Sequence, residues 1–179
     1  MRKTAFLPGR VIWFTGLSGA GKTTLANALK ERLLLSGKTV EVLDGDVLRR
    51  TIHKKLGFFR DGAKENSWRT ARLAKKKRKE YNYVIVAVIT PFSEDRKNVR
   101  KMIGDDFVEV FVNCPLEYCI KRDTKGLYKK ALAGEIDNLA GISEKIPYEK
   151  PQNSEIVLNT AKMGVKKCID SIVRHISEK

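Results

Sequence analysis

Histidine is nearly absent from this 179-residue chain. It holds only His53 and His175, too few and too isolated for a metal cluster or a histidine-based triad. Cysteine is scarce as well. Cys114, Cys119 and Cys168 make an odd number without zinc-type pairing, as expected of reduced thiols in a cytoplasmic protein. Long apolar runs are missing; the longest have strand length, so neither a membrane span nor a secretory signal is expected. Acid is in deficit, with 21 Asp and Glu against 36 Lys and Arg and a formal net charge of +15. That excess suits a polyanionic partner, and a phosphate-rich small molecule satisfies it as well as a nucleic acid does. The densest basic run, Arg72-Leu73-Ala74-Lys75-Lys76-Lys77-Arg78-Lys79, has no interleaved aromatics for base stacking. It reads as the solvated face of a helix, and neither nucleic acid nor membrane is expected as a partner. No linker or repeat divides the chain, so residues 1–179 read as one domain.

What the chain does carry in full is Gly16-Leu17-Ser18-Gly19-Ala20-Gly21-Lys22-Thr23, the phosphate-loop pattern of Gly, four residues, Gly-Lys-Ser/Thr. An uncharged run, Val11 to Thr15, leads in, and Thr24-Leu25-Ala26-Asn27-Ala28-Leu29-Lys30 leads out with apolar residues at helical spacing. Strand, glycine turn and helix is the context in which backbone N–H groups form an anion nest at a helix N-terminus. Gly16, Ser18, Gly19, Ala20, Gly21, Lys22, Thr23 and Thr24 are therefore expected to cradle a nucleoside triphosphate. Lys22 reaches the outer phosphates, and the Thr23 hydroxyl faces Mg²⁺, a hard ion that prefers oxygen.

Further strands are read at Thr39–Leu43, Tyr83–Ile89, Phe107–Val112 and Glu155–Asn159. Helices are read from Val47, from about Lys64 to Glu80 after a turn at Asp61-Gly62, at Ser93–Ile103, at Pro115–Arg122 and at Ala161–Ile176. The alternation implies an α/β, doubly wound, five-stranded parallel sheet of the phosphate-loop NTPase type, with right-handed crossovers. Residues 123–151, rich in Lys and Gly and longer than an ordinary loop, read as a lid with a short helix at Leu127–Leu132. Asp44-Gly45-Asp46 sits at the tip of the second strand, where open α/β sheets place their chemistry.

Other phosphate-loop classes fit less well. The guanine-reading Asn-Lys-x-Asp is absent, Asp123-Thr124-Lys125-Gly126 follows a helix rather than a strand, and the Val84–Ile89 strand ends in Thr90 rather than an acid. An acid at the Asp44-Gly45-Asp46 tip favours a small-molecule kinase, in which it sits beside Mg²⁺ and orients an attacking hydroxyl.

With Leu43-Asp44-Gly45-Asp46, Leu56-Gly57-Phe58, Lys125-Gly126-Leu127-Tyr128-Lys129-Lys130-Ala131 and Pro147-Tyr148-Glu149 added to the loop, the chain resembles adenylylsulfate kinase from about Val11 to Thr160. The resemblance implies transfer of the ATP γ-phosphate to the ribose 3′-hydroxyl of adenosine 5′-phosphosulfate, with Mg²⁺, in a protein that is often a homodimer. By the same resemblance Asp46 is the base or hydroxyl-orienting acid, and Asp44 and Asp46 join Thr23 at the metal. Arg122 and Thr160 flank the ATP adenine. Arg49 and Asn66 grip the acceptor, Phe58 stacks on its base, and Ile89, Thr90 and Leu139 complete its pocket. In the lid, Lys125, with Gly126 and Leu127, approaches the transferring phosphate.

Three departures mark the acceptor half. Gly62-Ala63 stands where the family has Asp-Arg, Asn138-Leu139-Ala140-Gly141 where it has Asn-Phe-Thr-Gly, and Ile89-Thr90-Pro91 where it has Ile-Ser-Pro. An anion-binding arginine and one aromatic of a base sandwich are thereby lost, with Arg60 the nearest replacement. Two further readings stay open: a kinase for another nucleotide such as cytidine diphosphoramidate, and a non-catalytic nucleotide- or nucleic-acid-binding module.

Overall fold

The uncharged run ahead of the glycine loop has no polar face because helices cover it on both sides. In the computed structural model, which describes residues 8–178, the elements follow in chain order. They are β1 (Arg10–Thr15), α1 (Lys22–Leu35), β2 (Val40–Asp44), α2 (Gly45–Arg50), α3 (Arg60–Lys77) and β3 (Tyr83–Ala87). Then come α4 (Ser93–Ile103), β4 (Phe107–Asn113), α5 (Leu116–Arg122), α6 (Leu127–Leu132), β5 (Ile156–Asn159) and α7 (Val165–Ser177). The five strands form one sheet in the order β2-β3-β1-β4-β5, every neighbouring pair parallel.

Side chains alternate across a strand, so β1 feeds two cores at once. Ile12 and Phe14 join Leu25, Leu29 and Leu33 of α1 and Ile169, Ile172 and Ile176 of α7. Val11 and Trp13 join Ala71 and Ala74 of α3 and Val99 and Ile103 of α4 on the other face. Each fully buried Val, Leu, Ile or Phe among them contributes about 1.5–3 kcal/mol relative to exposure. All three cysteines are free and buried. Among the described residues no helix is long and apolar enough to cross a membrane.

The parallel arrangement brings the strand ends Thr15, Asp44, Ala87, Asn113 and Asn159 to one edge of the sheet, and the turns that follow carry the chemistry. The expected fold and strand set are present. Most boundaries shift by a residue or more, and four of the differences are informative. β2 runs one residue further, into Asp44, and that carboxylate caps α2 by accepting from the backbone N–H groups of Asp46 and Val47. β3 stops at Ala87 rather than Ile89, because the chain must turn into Thr90, whose φ of 44° ends any strand. α7 starts at Val165, after a turn that includes Thr160.

The fourth difference is Asp61-Gly62, which makes no turn: α3 begins at Arg60 and carries both residues in its first turn. Glycine is needed at 62 for close approach rather than for bending, since a Cβ there would stand 2.1 Å from the Gly57 carbonyl oxygen. An ordinary helix glycine changed to alanine gains about 1 kcal/mol. Here the added methyl collides with backbone. Gly62→Ala is therefore expected to lose about 1–3 kcal/mol, as overpacking does, seen as a lower urea midpoint at unchanged slope. A midpoint that rises contradicts the contact.

Candidate active site

The glycine loop is built between β1 and α1. Gly16, at φ 153°, lies so close to β4 that a Cβ would stand 2.6 Å from the Val112 carbonyl oxygen, and Gly21 enters α1 from a left-handed φ of 102°. Three donors hold the loop from outside. Tyr128 Oη donates to the Ser18 carbonyl at 2.9 Å, Arg122 Nη1 to that of Gly19 at 3.3 Å, and Thr160 Oγ1 to that of Ala20 at 2.8 Å. Arg122 Nη2 also donates to the Thr160 carbonyl at 2.8 Å, so the two residues expected at the adenine are tied to one another.

Lys22 turns back into its own loop, Nζ donating to the carbonyls of Gly16 at 2.9 Å and Leu17 at 2.8 Å. Burial of this ammonium, and next the repulsion of Lys125, lower its pKa to about 8 against the pull of Asp46. Thr23 Oγ1 donates to Asp44 Oδ2 at 2.7 Å, while Asp44 Oδ1 caps α2. Asp46, in the first turn of α2, pairs with Lys125 from the 123–151 segment. The donors gathered here are all oxygen, and no set of three or more His, Cys, Asp or Glu converges among the described residues. Such a sparse oxygen set fits Mg²⁺, which keeps several waters and takes further oxygens from phosphate.

A cavity of about 760 Å³ runs along the glycine loop and on past Asp46, Arg49, Phe58, Ala63, Asn66, Ile89, Thr90, Lys125, Leu127 and Leu139. Arg122 and Thr160 are also on its wall. Phe58 is 53 % exposed, hence available to a ligand rather than a core residue. The Arg49 guanidinium lies 4.3 Å from the Phe58 ring centre and donates to the Leu56 and Gly57 carbonyls, both at 2.8 Å. It thus braces the loop that presents the aromatic.

Gly16, Asp44 and Gly126 are not on the wall. Gly126 serves as the left-handed entry to α6, and Asp123 accepts from the Tyr128 and Lys129 N–H groups to cap that helix. Arg60 does not enter the cavity. It pairs with Asp95 at 2.7 Å and Glu94 at 3.0 Å, and covers the Phe92 ring at 4.3 Å. The position of the absent arginine is filled by Ala63 in a small apolar cluster with Phe92, Ala140 and Ile146.

Several supporting residues escape sequence reasoning. His53, dismissed there as isolated, is buried and faces Asn66, its Nδ1 2.9 Å from Asn66 Oδ1. With the amide oxygen accepting, the Asn66 NH₂ is free for a ligand. Trp13 Nε1 donates to Thr90 Oγ1 at 3.1 Å. Both pairs join residues far apart in the chain, and only helix and strand placement reveals them.

The family model described as adenylylsulphate kinase matches residues 8–159. The chain belongs to the adenylylsulfate kinase family. It is 46% identical over 170 residues to the adenylyl-sulfate kinase of Clostridium acetobutylicum, covering 95% of this chain and 84% of that one. To the enzyme of Paraburkholderia xenovorans it is 47% identical over 168 residues, covering 94% and 93%. Among solved structures, the Mycobacterium tuberculosis APS kinase in complex with AMPPNP and APS superposes with a TM-score of 0.89 at 36% identity, covering 95% and 98%. As in the adenylylsulfate kinase resemblance read from its motifs, this chain is an ATP-dependent nucleotide kinase.

The displaced pKa of Lys22 gives this kinase a pH signature. A nucleotide's phosphates favour the charged lysine, whereas the free loop favours its neutral form. Above about pH 8 ATP must therefore bring a proton with it, and affinity falls as pH rises. Calorimetry in buffers of differing ionisation enthalpy is expected to show proton uptake on ATP binding between about pH 8 and 9. Absence of uptake contradicts this account of Lys22.

Proposed function

We propose that this enzyme transfers the γ-phosphate of ATP to the ribose 3′-hydroxyl of adenosine 5′-phosphosulfate. The observation that supports this most is a single cavity lined both by the glycine loop and by Phe58, Asn66 and Leu139, with Asp46 and Lys125 on its wall. Donor and acceptor can thus lie side by side in one cavity.

In this reading ATP phosphates replace the carbonyl partners of Lys22, and Arg122 and Thr160 flank the ATP adenine. Thr23, Asp44 and Asp46 hold Mg²⁺, which when bound offsets phosphate charge. Lys125 leaves Asp46 for the transferring phosphate, where a cation stabilises growing charge. Asp46, so released, orients the 3′-hydroxyl and takes its proton as the new O–P bond forms and the bond from Pγ to its bridging oxygen breaks. Phe58 stacks on the acceptor base, Asn66 and Arg49 hold the acceptor, and Ile89, Thr90, Gly126, Leu127 and Leu139 shape its pocket. We read residues 1–179 as one kinase domain working in the cytoplasm as a homodimer, with residues 123–151 as its lid.

A second reading, phosphorylation of a cytidine nucleotide such as cytidine diphosphoramidate, is favoured by two features. The acceptor end has no cation at Ala63, and Arg60 is already engaged by Glu94 and Asp95. Leu139, in place of an aromatic, also suits a smaller base.

Turnover at fixed Mg²⁺ with each acceptor separates the readings: a higher kcat/KM for adenosine 5′-phosphosulfate is expected, and preference for the cytidine compound establishes the second. Asp46→Ala is expected to lower kcat by roughly 10²–10⁴ while leaving ATP affinity within about threefold. Near-wild-type turnover in that variant removes Asp46 from the chemistry.

A further inference from the structure

Arg96 on α4 is only 4 % exposed and does not line the cavity, yet its guanidinium holds backbone that does. Nη1 donates to the carbonyls of Thr90 at 2.8 Å and Pro91 at 3.2 Å, and Nη2 donates to that of Glu149 at 2.6 Å. Thr90 and Pro91 form the cavity wall beyond β3. Glu149 lies where the 123–151 segment returns to the sheet. One planar group thus fastens the acceptor wall to the end of the lid.

Its aim is fixed from behind. Nε stands 3.2 Å from Oε1 of the buried Glu109 on β4. Glu109 is in turn 3.3 Å from Arg100, which Glu155 grips at 2.6 and 2.9 Å. Around the fork the same two segments are joined again. The Glu149 N–H donates to the Pro91 carbonyl at 2.9 Å, and Glu149 Oε2 accepts from the Ser93 N–H at 2.6 Å. The Tyr148 and Thr15 hydroxyls lie 2.9 Å apart, and Thr15 Oγ1 donates to the Ile89 carbonyl at 2.5 Å.

The held backbone would not keep its shape unaided. Thr90 sits at φ 44°, a region that β-branched residues avoid and that persists only where surroundings impose it. Arg96 takes its carbonyl and Trp13 its hydroxyl. A lysine at 96 would keep a charge for Glu109 but not a rigid fork able to serve three carbonyls at once.

We propose that Arg96 is a positioning residue for the acceptor nucleotide, holding the Thr90-Pro91 wall and the lid return in register; this rests on the assignment of that wall to the acceptor. None of its hydrogen bonds reaches the Gly16–Thr24 loop, so ATP binding is independent of it.

The test is Arg96→Lys, with three readouts: KM for adenosine 5′-phosphosulfate at saturating ATP, the Kd of AMPPNP by calorimetry, and Tm. The acceptor KM is expected to rise roughly tenfold or more while the AMPPNP Kd stays within about twofold. A purely structural ion pair would weaken both ligands together through the folded fraction. Parallel loss of both, or no change in the acceptor KM, overturns the proposal. Should that variant not fold, Arg96→Gln with Glu109→Gln removes both buried charges together and is judged by the same split. Wild-type turnover is measured alongside, so failure of the functional reading shows in the wild type and failure of the clamp only in the variant.

Discussion

The ammonium of Lys22 lies beneath a turn of its own backbone, bonded to the neutral carbonyls of Gly16 and Leu17. A charge so placed is costly unless an anion arrives. Much of the molecule serves to keep that site poised. Gly16 presses against Val112 of β4, α1 starts from a left-handed glycine, and Tyr128, Arg122 and Thr160 draw the loop's carbonyls outward. The neighbouring groups are likewise self-satisfied, Thr23 with Asp44 and Asp46 with Lys125. In the proposed reading each of these contacts gives way to a phosphate, a metal or a substrate hydroxyl. Binding then exchanges polar contacts rather than creating them from solvent, and little reorganisation is left for the chemical step.

The acceptor half follows a different plan. Its proposed contact residues are braced by other side chains: Asn66 by His53, Phe58 by Arg49, itself on the cavity wall, and Thr90 by Trp13 and Arg96. Where an arginine is absent, Ala63 closes the wall with apolar neighbours and Arg60 is held by two carboxylates. In the proposed reading the donor is held by loop backbone together with the side chains of Lys22 and Thr23. In that reading the acceptor is recognised by side chains, which are free to vary, and it is there that this chain departs from the family pattern.

That division also explains what could be read in advance. The loop, its flanking strand and helix, the sheet class and the Leu127–Leu132 helix are local in sequence, set by glycine spacing and apolar periodicity. Asp61-Gly62 was misleading because a glycine can be required by a neighbour's backbone, here Gly57, as well as by a turn. The strand at Tyr83 ended early because a positive φ at Thr90 is imposed by Trp13 and Arg96, neither of which lies in that strand. His53 looked isolated because its partner Asn66 is on the next helix. Arg60 was the natural substitute for a missing cation until the fold placed Glu94 and Asp95 beside it. Apart from the Gly57–Gly62 approach, which is local, the deciding contact is tertiary.

The central claim is that one cavity passes a phosphate from the Lys22 cradle to a ribose hydroxyl oriented by Asp46. The most direct test is phosphorus NMR of the products formed from ATP and adenosine 5′-phosphosulfate. The account predicts a new phosphomonoester signal coupled to the ribose H3′ proton, appearing in step with ADP. Release of the γ-phosphate as inorganic phosphate, or its appearance on another hydroxyl, would contradict it.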